Sequence, residues 1–136
     1  MILAFDYGTH KIGVASGNML LGTATPLKAL PCKNTQPNWD DIAALLKEWE
    51  PEALVVGLPL NMDGSDSEST ARARKFANRL HGRFGKKVWL VDERLSTREA
   101  RERTGIQKAD SRVDSMAAVI IAEGFFAGAA AAIGSW

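Results

Sequence analysis

The chain has 136 residues, of which 46% are hydrophobic and 24% charged, proportions that are ordinary for one globular domain spanning residues 1–136. Its single cysteine, Cys32, excludes an intramolecular disulfide and a cysteine-rich zinc site and favours a reducing, cytoplasmic location. The uncharged stretch at residues 124–136 is too short to span a bilayer, so no membrane partner is expected.

The net charge of +1 conceals an uneven distribution along the chain. Residues 71–112 hold 13 of the 17 basic residues against 5 acidic ones, whereas residues 1–70 hold 4 basic and 9 acidic residues. This asymmetry is expected of a protein that meets a polyanion on one side, and equally of a helix with a solvated basic face. Charge alone leaves both interpretations open.

The first seventeen residues predict a β-hairpin that presents an acid. An apolar run ends in Asp6, and Gly8 and Thr9 separate it from a second alternating run. Gly8 leaves room for a ligand or metal beside Asp6, although an Asp near a Gly is also typical of an ordinary turn. A third strand is predicted over residues 20–30, closed by Pro31, and residues 32–37 are predicted to be a loop.

A helix and a buried strand follow this antiparallel meander. Asn38 is predicted to cap the helix, and Pro51 to end it. The continuous apolar run Ala53–Leu58 is typical of a strand covered on both faces. The loop over residues 57–64 is either a tight exit from this strand or a segment that lies along a nucleic-acid backbone.

The next helix is predicted to begin at a capping box formed by Ser65 and Glu68 and to end at Gly85. Its apolar residues recur at helical spacing, and basic residues line its other side. The basic residues are Arg72, Lys75, Arg79 and Arg83.

A fifth strand over residues 87–91 ends in Asp92 and Glu93, and a short charged helix is predicted from Ser96 to about Gly105. A final helix, apolar nearly all round, is predicted from about Val113. Because crossovers are right-handed, the fourth and fifth strands are placed parallel to the first and beside it. The order predicts an α/β fold: a mixed five-stranded sheet of three antiparallel and two parallel strands, with helices on both faces.

Acids from three parts of the chain converge in this arrangement if the final helix packs across the sheet near the strand ends. Asp6 and the Asp92–Glu93 pair lie at carboxyl ends of neighbouring strands, where open α/β sheets bind ligands. Asp114 opens the final helix, where it also simply suits the helix dipole. Clustered carboxylates without His or Cys favour Mg²⁺ or Mn²⁺, and two such ions roughly 3.5–4 Å apart can promote phosphodiester cleavage.

These residues together resemble the YqgF/RuvX family, described as pre-16S ribosomal RNA nucleases and as Holliday-junction-resolvase-like proteins of the ribonuclease H-like superfamily. The resemblance covers nearly the whole chain. Its motifs are Asp-Tyr-Gly-Thr at residues 6–9, Ile-Gly-Val-Ala at 12–15, Val-Gly-Leu-Pro-Leu-Asn-Met-Asp-Gly at 56–64, Asp-Glu-Arg-Leu-Ser-Thr at 92–97 and Val-Asp-Ser-Met-Ala-Ala at 113–118.

The resemblance implies that Asp6, Glu93 and Asp114 are the catalytic, metal-binding acids of a nuclease that uses two Mg²⁺ or Mn²⁺ ions. Asp92 is the alternative to Glu93, because strand alternation sends the two in opposite directions. Arg94 either binds a phosphate or pairs with a neighbouring acid, and phosphate is favoured. The remaining candidate substrate-binding residues are Asn61, Arg72, Lys75 and Arg79.

The expected activity is metal-dependent endonucleolytic cleavage of structured RNA, in 5′-end maturation of pre-16S rRNA, by a monomer or weak homodimer. Cleavage of branched DNA at a four-way junction is the alternative, and it calls for two active sites in a two-fold dimer. A non-catalytic RNA-binding assembly factor is a further alternative. Nucleotide binding, suggested by the likeness of the first hairpin to the phosphate loop of actin-like ATPases, is disfavoured because those proteins carry two such domains.

Overall fold

A computed structural model of the chain describes residues 1–92 and 114–127, together with the backbone of residues 132–135. Seven strands and three helices fall in these ranges. The strands are β1 (Ile2–Tyr7), β2 (Lys11–Asn18), β3 (Thr23–Lys33), β4 (Gln36–Pro37), β5 (Ala53–Leu58), β6 (Lys87–Asp92) and β7 (Ala132–Ser135). The helices are α1 (Trp39–Trp49), α2 (Glu68–Phe84) and α3 (Met116–Ala127). None of the helices in the described ranges is long and apolar enough to cross a membrane.

The strands form one sheet in the order β4-β3-β2-β1-β5-β6-β7. The first three strands are antiparallel, whereas β5 and β6 run parallel to β1, as predicted. The predicted count of five strands is wrong, because β7 pairs antiparallel with β6 and makes the main sheet six-stranded, with two-residue β4 beyond β3. The sequence of β7 lacks the β-branched alternation that marks a strand, and the open edge of β6 supplies its partner.

The third strand is longer than predicted and passes through two prolines. Pro26 pairs with Ala15 and Pro31 with Lys11, so Pro31 does not end the strand. Both prolines are tolerated because β3 lies near the edge of the sheet, where it pairs fully only with β2. Residues 32–37, predicted to be a loop, instead contain the β3–β4 hairpin, with Asn34 and Thr35 in the left-handed region at its turn.

Helices cover both faces of the sheet, as predicted. On one face, α1 and α2 pack against alternate residues of β1, including Leu3 and Phe5. On the other face, α3 packs against the residues between them, Ile2 and Ala4. We call these the α2 face and the α3 face; the strand period of two assigns every residue of β1, β2, β5 and β6 to one or the other.

Two of the predicted helix starts can be compared with the structure. The side chain of Asn38 accepts hydrogen bonds from the backbone of residues 40 and 41 and caps α1, as predicted. The capping box of α2 is formed by Ser67 and Thr70 rather than Ser65 and Glu68. Ser65 is already engaged in a turn with Asp63, to which it donates from both its amide and its hydroxyl group.

Candidate active site

Asp6 lies at the carboxyl end of β1, the central strand of the sheet. It is half-buried, and its partner in the β1–β2 ladder is Gly13. Residues directly opposite each other in an antiparallel ladder project toward the same face. Because Ile2 and Ala4 pack on α3, Asp6 also belongs to the α3 face.

The start of α3 lies directly over Gly13. A Cβ atom on Gly13 would come within 2.5 Å of the carbonyl oxygen of Asp114, so only glycine allows this approach. Asp114 and Ser115 form a single 3₁₀ turn ahead of the α-helix, which begins at Met116 rather than at about Val113. The ladder and this contact together bring Asp6 and Asp114 to the same face and the same end of the sheet.

Ser115 anchors this turn to the sheet. Its buried hydroxyl oxygen accepts a hydrogen bond from the amide of Val14 at 3.0 Å and donates one to the carbonyl of Leu27 at 2.6 Å. Val14 and Leu27 face each other across β2 and β3 just beyond a bulge, so the hydroxyl bridges backbone groups of two strands. We did not predict this role of Ser115. The available hint in the sequence is that Ser115 directly follows the candidate acid Asp114.

Lys11 forms an ion pair with Asp114. Its Nζ lies 3.0 Å from Oδ2 of Asp114, and both side chains are substantially exposed. A pair this exposed contributes about 0–1 kcal/mol to stability, so its effect is to orient the carboxylate rather than to hold the fold. The contact of Lys11 with Asp114 was not predicted either. Lys11 precedes Gly13 by two residues and so lies on the same face of β2, which could have indicated the contact.

Glu93 and Arg94 lie outside the described residues, but Asp92, the alternative to Glu93, is described. Asp92 ends β6 and pairs with Leu58 of β5. Leu58 and Leu90 pack on the α2 face, whereas Val91 packs on the α3 face, so alternation directs Asp92 to the α2 face. Asp92 is therefore on the opposite face from Asp6. Within the described ranges, no group of three Asp, Glu, His or Cys residues is arranged to hold a metal ion.

The candidate basic residues lie on the α2 face. Arg72, Lys75 and Arg79 line a depression of about 150 Å³ together with Tyr7 and the tip of the β3–β4 hairpin. Arg72 pairs with Glu68 at 2.6 Å. Nη1 of Arg79 donates to the side chain of Gln36 at 3.0 Å. The structure thus groups these three residues with one another, on the face away from Asp6.

Tyr7 stands between the acids and these basic residues, one position along from Asp6 and on the opposite face. Its hydroxyl donates to the carbonyl of Thr35, which ties the hairpin tip to the end of β1. Burial raises the pKa of Tyr7, and Cys32 raises it further, while Arg72 and Arg79 lower it. Burial also raises the pKa of the Cys32 thiol.

Asn61 organises the loop that leaves β5. Its side-chain amide donates to the hydroxyl of Ser65 at 3.0 Å and to the carbonyl of Asp66 at 3.4 Å, and its backbone amide donates to the carbonyl of Ser65. The loop is therefore closed on itself by this one residue. Among the described residues, Asn61 forms its hydrogen bonds within its own loop and not with Asp6 or Asp114.

Comparison with known proteins gives a consistent assignment. The family model described as RuvX, Holliday junction resolvase, matches residues 1–128. A protein of Alcanivorax borkumensis named "Putative pre-16S rRNA nuclease" is 96% identical over 128 residues, covering 94% of this chain and 96% of the relative. A protein of the same name from Escherichia coli O1:K1 is 55% identical over 130 residues, covering 92% and 94%.

Solved structures support the architecture. The RuvC structure of Thermus thermophilus has a TM-score of 0.53 at 15% identity and covers 97% of this chain and 99% of that one. T. thermophilus RuvC in complex with a Holliday junction substrate has a TM-score of 0.51 at 14% identity, with 93% coverage of each chain. At this identity the likeness establishes a shared fold, which confirms the predicted ribonuclease H-like architecture. The family model and the curated relatives together establish that the chain belongs to the RuvX family.

Proposed function

We propose that this chain is a divalent-metal-dependent endonuclease that cleaves phosphodiester bonds in structured RNA, in the 5′-end processing of pre-16S rRNA in the cytoplasm. The observation that carries the proposal is the pairing of Asp6 with Gly13 beneath the backbone of Asp114. Two carboxylates are thereby held at the ligand-binding end of the sheet. The names of the curated relatives supply the substrate.

The donor chemistry of these residues fits Mg²⁺ or Mn²⁺. Carboxylate oxygens are the ligands that these hard cations prefer. In this proposal, two ions would be held by Asp6, Asp114 and Glu93. Glu93 is preferred to Asp92 because Asp92 ends β6 on the opposite face from Asp6. Bound ions would activate a water molecule and stabilise the leaving oxygen.

The chain's own residues would position the substrate. Lys11, which orients the Asp114 carboxylate at 3.0 Å, would lie beside the phosphate being cleaved. Arg94 would bind a phosphate oxygen pair, as a planar guanidinium does best. The loop organised by Asn61 would follow the nucleic-acid backbone.

A second candidate function is cleavage of branched DNA. It is favoured by the description of the matching family model as a Holliday junction resolvase. Symmetric cutting of a junction requires two active sites related by a two-fold axis. We propose a monomer or weak homodimer, which suits RNA cleavage better. A non-catalytic assembly factor would instead bind RNA without needing its acids.

One experiment separates these functions. The purified protein is incubated with pre-16S rRNA and, in parallel, with a synthetic four-way junction, each in Mg²⁺, Mn²⁺ or EDTA. Metal-dependent cutting of the RNA alone supports the proposal, and cutting of the junction alone supports the DNA function. If neither is cut while the RNA is bound, the assembly-factor role is the better account.

A further inference from the structure

Two neighbouring depressions lie on the α2 face, beginning at the β1–β2 turn. A depression of about 300 Å³, lined by Gly8, Thr9 and Arg72, lies at the β1–β2 turn. Tyr7 and Arg72 line both this depression and the neighbouring one of about 150 Å³. The two depressions therefore adjoin, and we call them together the α2 groove. It is lined by Gly8 and Thr9 at the β1–β2 turn and, beyond the turn, by Tyr7, Thr35, Gln36, Arg72, Lys75 and Arg79.

The chemistry of the α2 groove suits phosphate groups. Three cationic side chains line it, and none of the described residues that line the two depressions is acidic. The side chain of Arg79 is held in place before any ligand binds. It is hydrogen-bonded to Gln36, and its Cζ atom lies 4.9 Å from the ring centre of Trp39. Holding a long side chain in place before binding reduces the entropy lost when a ligand binds.

Lys75 differs from its neighbours in having no ion pair or hydrogen bond with the described residues. Arg72 is paired with Glu68 and Arg74 with Asp66. The ammonium group of Lys75 is exposed within the groove, so a ligand anion would not have to displace an acid. Lys75 thus offers a ligand in the groove a positive charge that no described acid neutralises.

The aromatic wall of the α2 groove favours a single strand over a duplex. Tyr7 packs on Phe76 with ring centres 5.1 Å apart and forms part of the wall. Basic grooves with aromatic side chains are typical of single-strand binding.

Backbone geometry also marks this site. Thr35, at the hairpin tip that closes the groove, has φ of 64°, a left-handed conformation that β-branched residues rarely adopt. The hydroxyl of Tyr7 donates a hydrogen bond to the carbonyl of Thr35 and holds this residue in place. Such strained positions concentrate at ligand-binding sites, where the surrounding contacts maintain them.

We infer that the α2 groove binds the phosphates of a single-stranded nucleic-acid segment that passes around the β1–β2 turn from the catalytic acids to the opposite face of the sheet. The inference rests on the proposed function, since it treats this segment as the strand flanking the cut. It assigns the selectivity for an unpaired flank to the face of the sheet opposite Asp6 and Asp114.

The test compares two neighbouring charges on α2. Lys75→Gln removes a cation from the groove, and Arg74→Gln removes one that is paired with Asp66 outside it. Binding of a short unstructured RNA and of its duplex is measured by fluorescence anisotropy across a salt series. EDTA and an Asp6→Asn background prevent cleavage.

We expect Lys75→Gln to weaken single-strand binding several-fold and to reduce the salt slope by about 0.7, the value for one phosphate contact on a single strand. Lys75→Arg should restore the slope, and Arg74→Gln should leave it unchanged. Equal slopes for the two Gln variants, or a larger loss on the duplex than on the single strand, would overturn the inference. Because binding is measured without metal, this result is independent of whether the protein cleaves RNA.

Discussion

At the scale of single residues, the candidate site depends on one close backbone approach. Gly13 is opposite Asp6 in the ladder and directly beneath Asp114. The positions of Asp6 and Asp114 relative to the secondary structure could be predicted from the sequence, because Asp6 lies at the end of a recognisable strand and Asp114 precedes a recognisable helix. The approach at Gly13 could not, since an α-helix crossing a strand is a tertiary contact that leaves no local pattern.

Gly13→Ala should destabilise the protein and displace Asp114. The added methyl group would lie 2.5 Å from a backbone oxygen, which cannot move aside as a flexible side chain can. Overpacking of this kind costs about 1–3 kcal/mol in unfolding free energy, measurable by urea denaturation. Gly82→Ala is the matched control: nothing lies near its added methyl, and alanine should stabilise α2 by roughly 0.5–1 kcal/mol. Equal effects of the two changes would refute the contact.

Ser115→Ala should also be destabilising, because it leaves the amide of Val14 without its partner in a buried position. Loss of such a partner costs about 1–3 kcal/mol in unfolding free energy. The same substitution at exposed Ser65 should change stability by less than about 0.5 kcal/mol. A Ser115→Ala variant as stable as the Ser65→Ala variant would show that the hydroxyl does not anchor α3.

The ionisation of Tyr7 can be followed directly, since it is the only tyrosine in the chain. Burial raises its pKa above the ordinary value of 10.0, so tyrosinate absorbance should appear with a midpoint above pH 10. As the pH rises past 10, the Tyr7 hydroxyl loses its proton in the unfolded chain before it does so in the folded chain. The contribution of this group to the free energy of unfolding is therefore complete below pH 10 and is lost as the pH rises through the higher pKa of the folded chain. Arg79→Gln removes a cation that lowers the pKa and should move the midpoint upward; a downward shift would contradict the geometry.

At the scale of elements, local patterns predicted the sheet well except at its edges. The buried run of β5, the cap at Asn38 and the stop at Gly85 all have strong local signals. The three errors in strand extent all concern edge pairing: the continuation of β3 through Pro31, the β3–β4 hairpin in the predicted loop, and the presence of β7. There, a neighbouring strand rather than local propensity decides the conformation.

Removing residues 128–136 tests the contribution of β7. The truncated chain loses the antiparallel partner of Trp89, Leu90 and Val91, which exposes the backbone groups along the edge of β6. We expect a lower unfolding temperature and concentration-dependent association, because an open edge is a template for pairing with another chain. Size-exclusion chromatography and thermal unfolding measure both effects. A truncated protein that is monomeric and equally stable would show that β7 adds nothing to the sheet.

At the scale of the whole molecule, the sheet separates two chemistries. Asp6 and Asp114 lie at one end of the α3 face, whereas the basic groove lies on the α2 face, and the β1–β2 turn connects them. The sequence showed that the basic residues cluster after residue 70, but not that they lie across the sheet from the acids. That placement arises because α1 and α2 both cover one face of the sheet, whereas α3, which comes after β6 in the chain, covers the other.

The most direct measurement is single-turnover cleavage of pre-16S rRNA by Asp6→Asn, Asp114→Asn and Glu48→Gln, with thermal unfolding of each variant. Each substitution removes one negative charge, and Glu48 is an exposed residue of α1. We predict that the two Asp variants fold normally but that their cleavage rates fall more than about 100-fold. Substituting a residue that only supports a metal ligand usually lowers activity by about 10–100-fold, so a larger loss indicates a ligand. Glu48→Gln should cleave at the wild-type rate. Folded Asp6→Asn protein that cleaves as fast as Glu48→Gln would contradict the assignment of this end of the sheet as the active site.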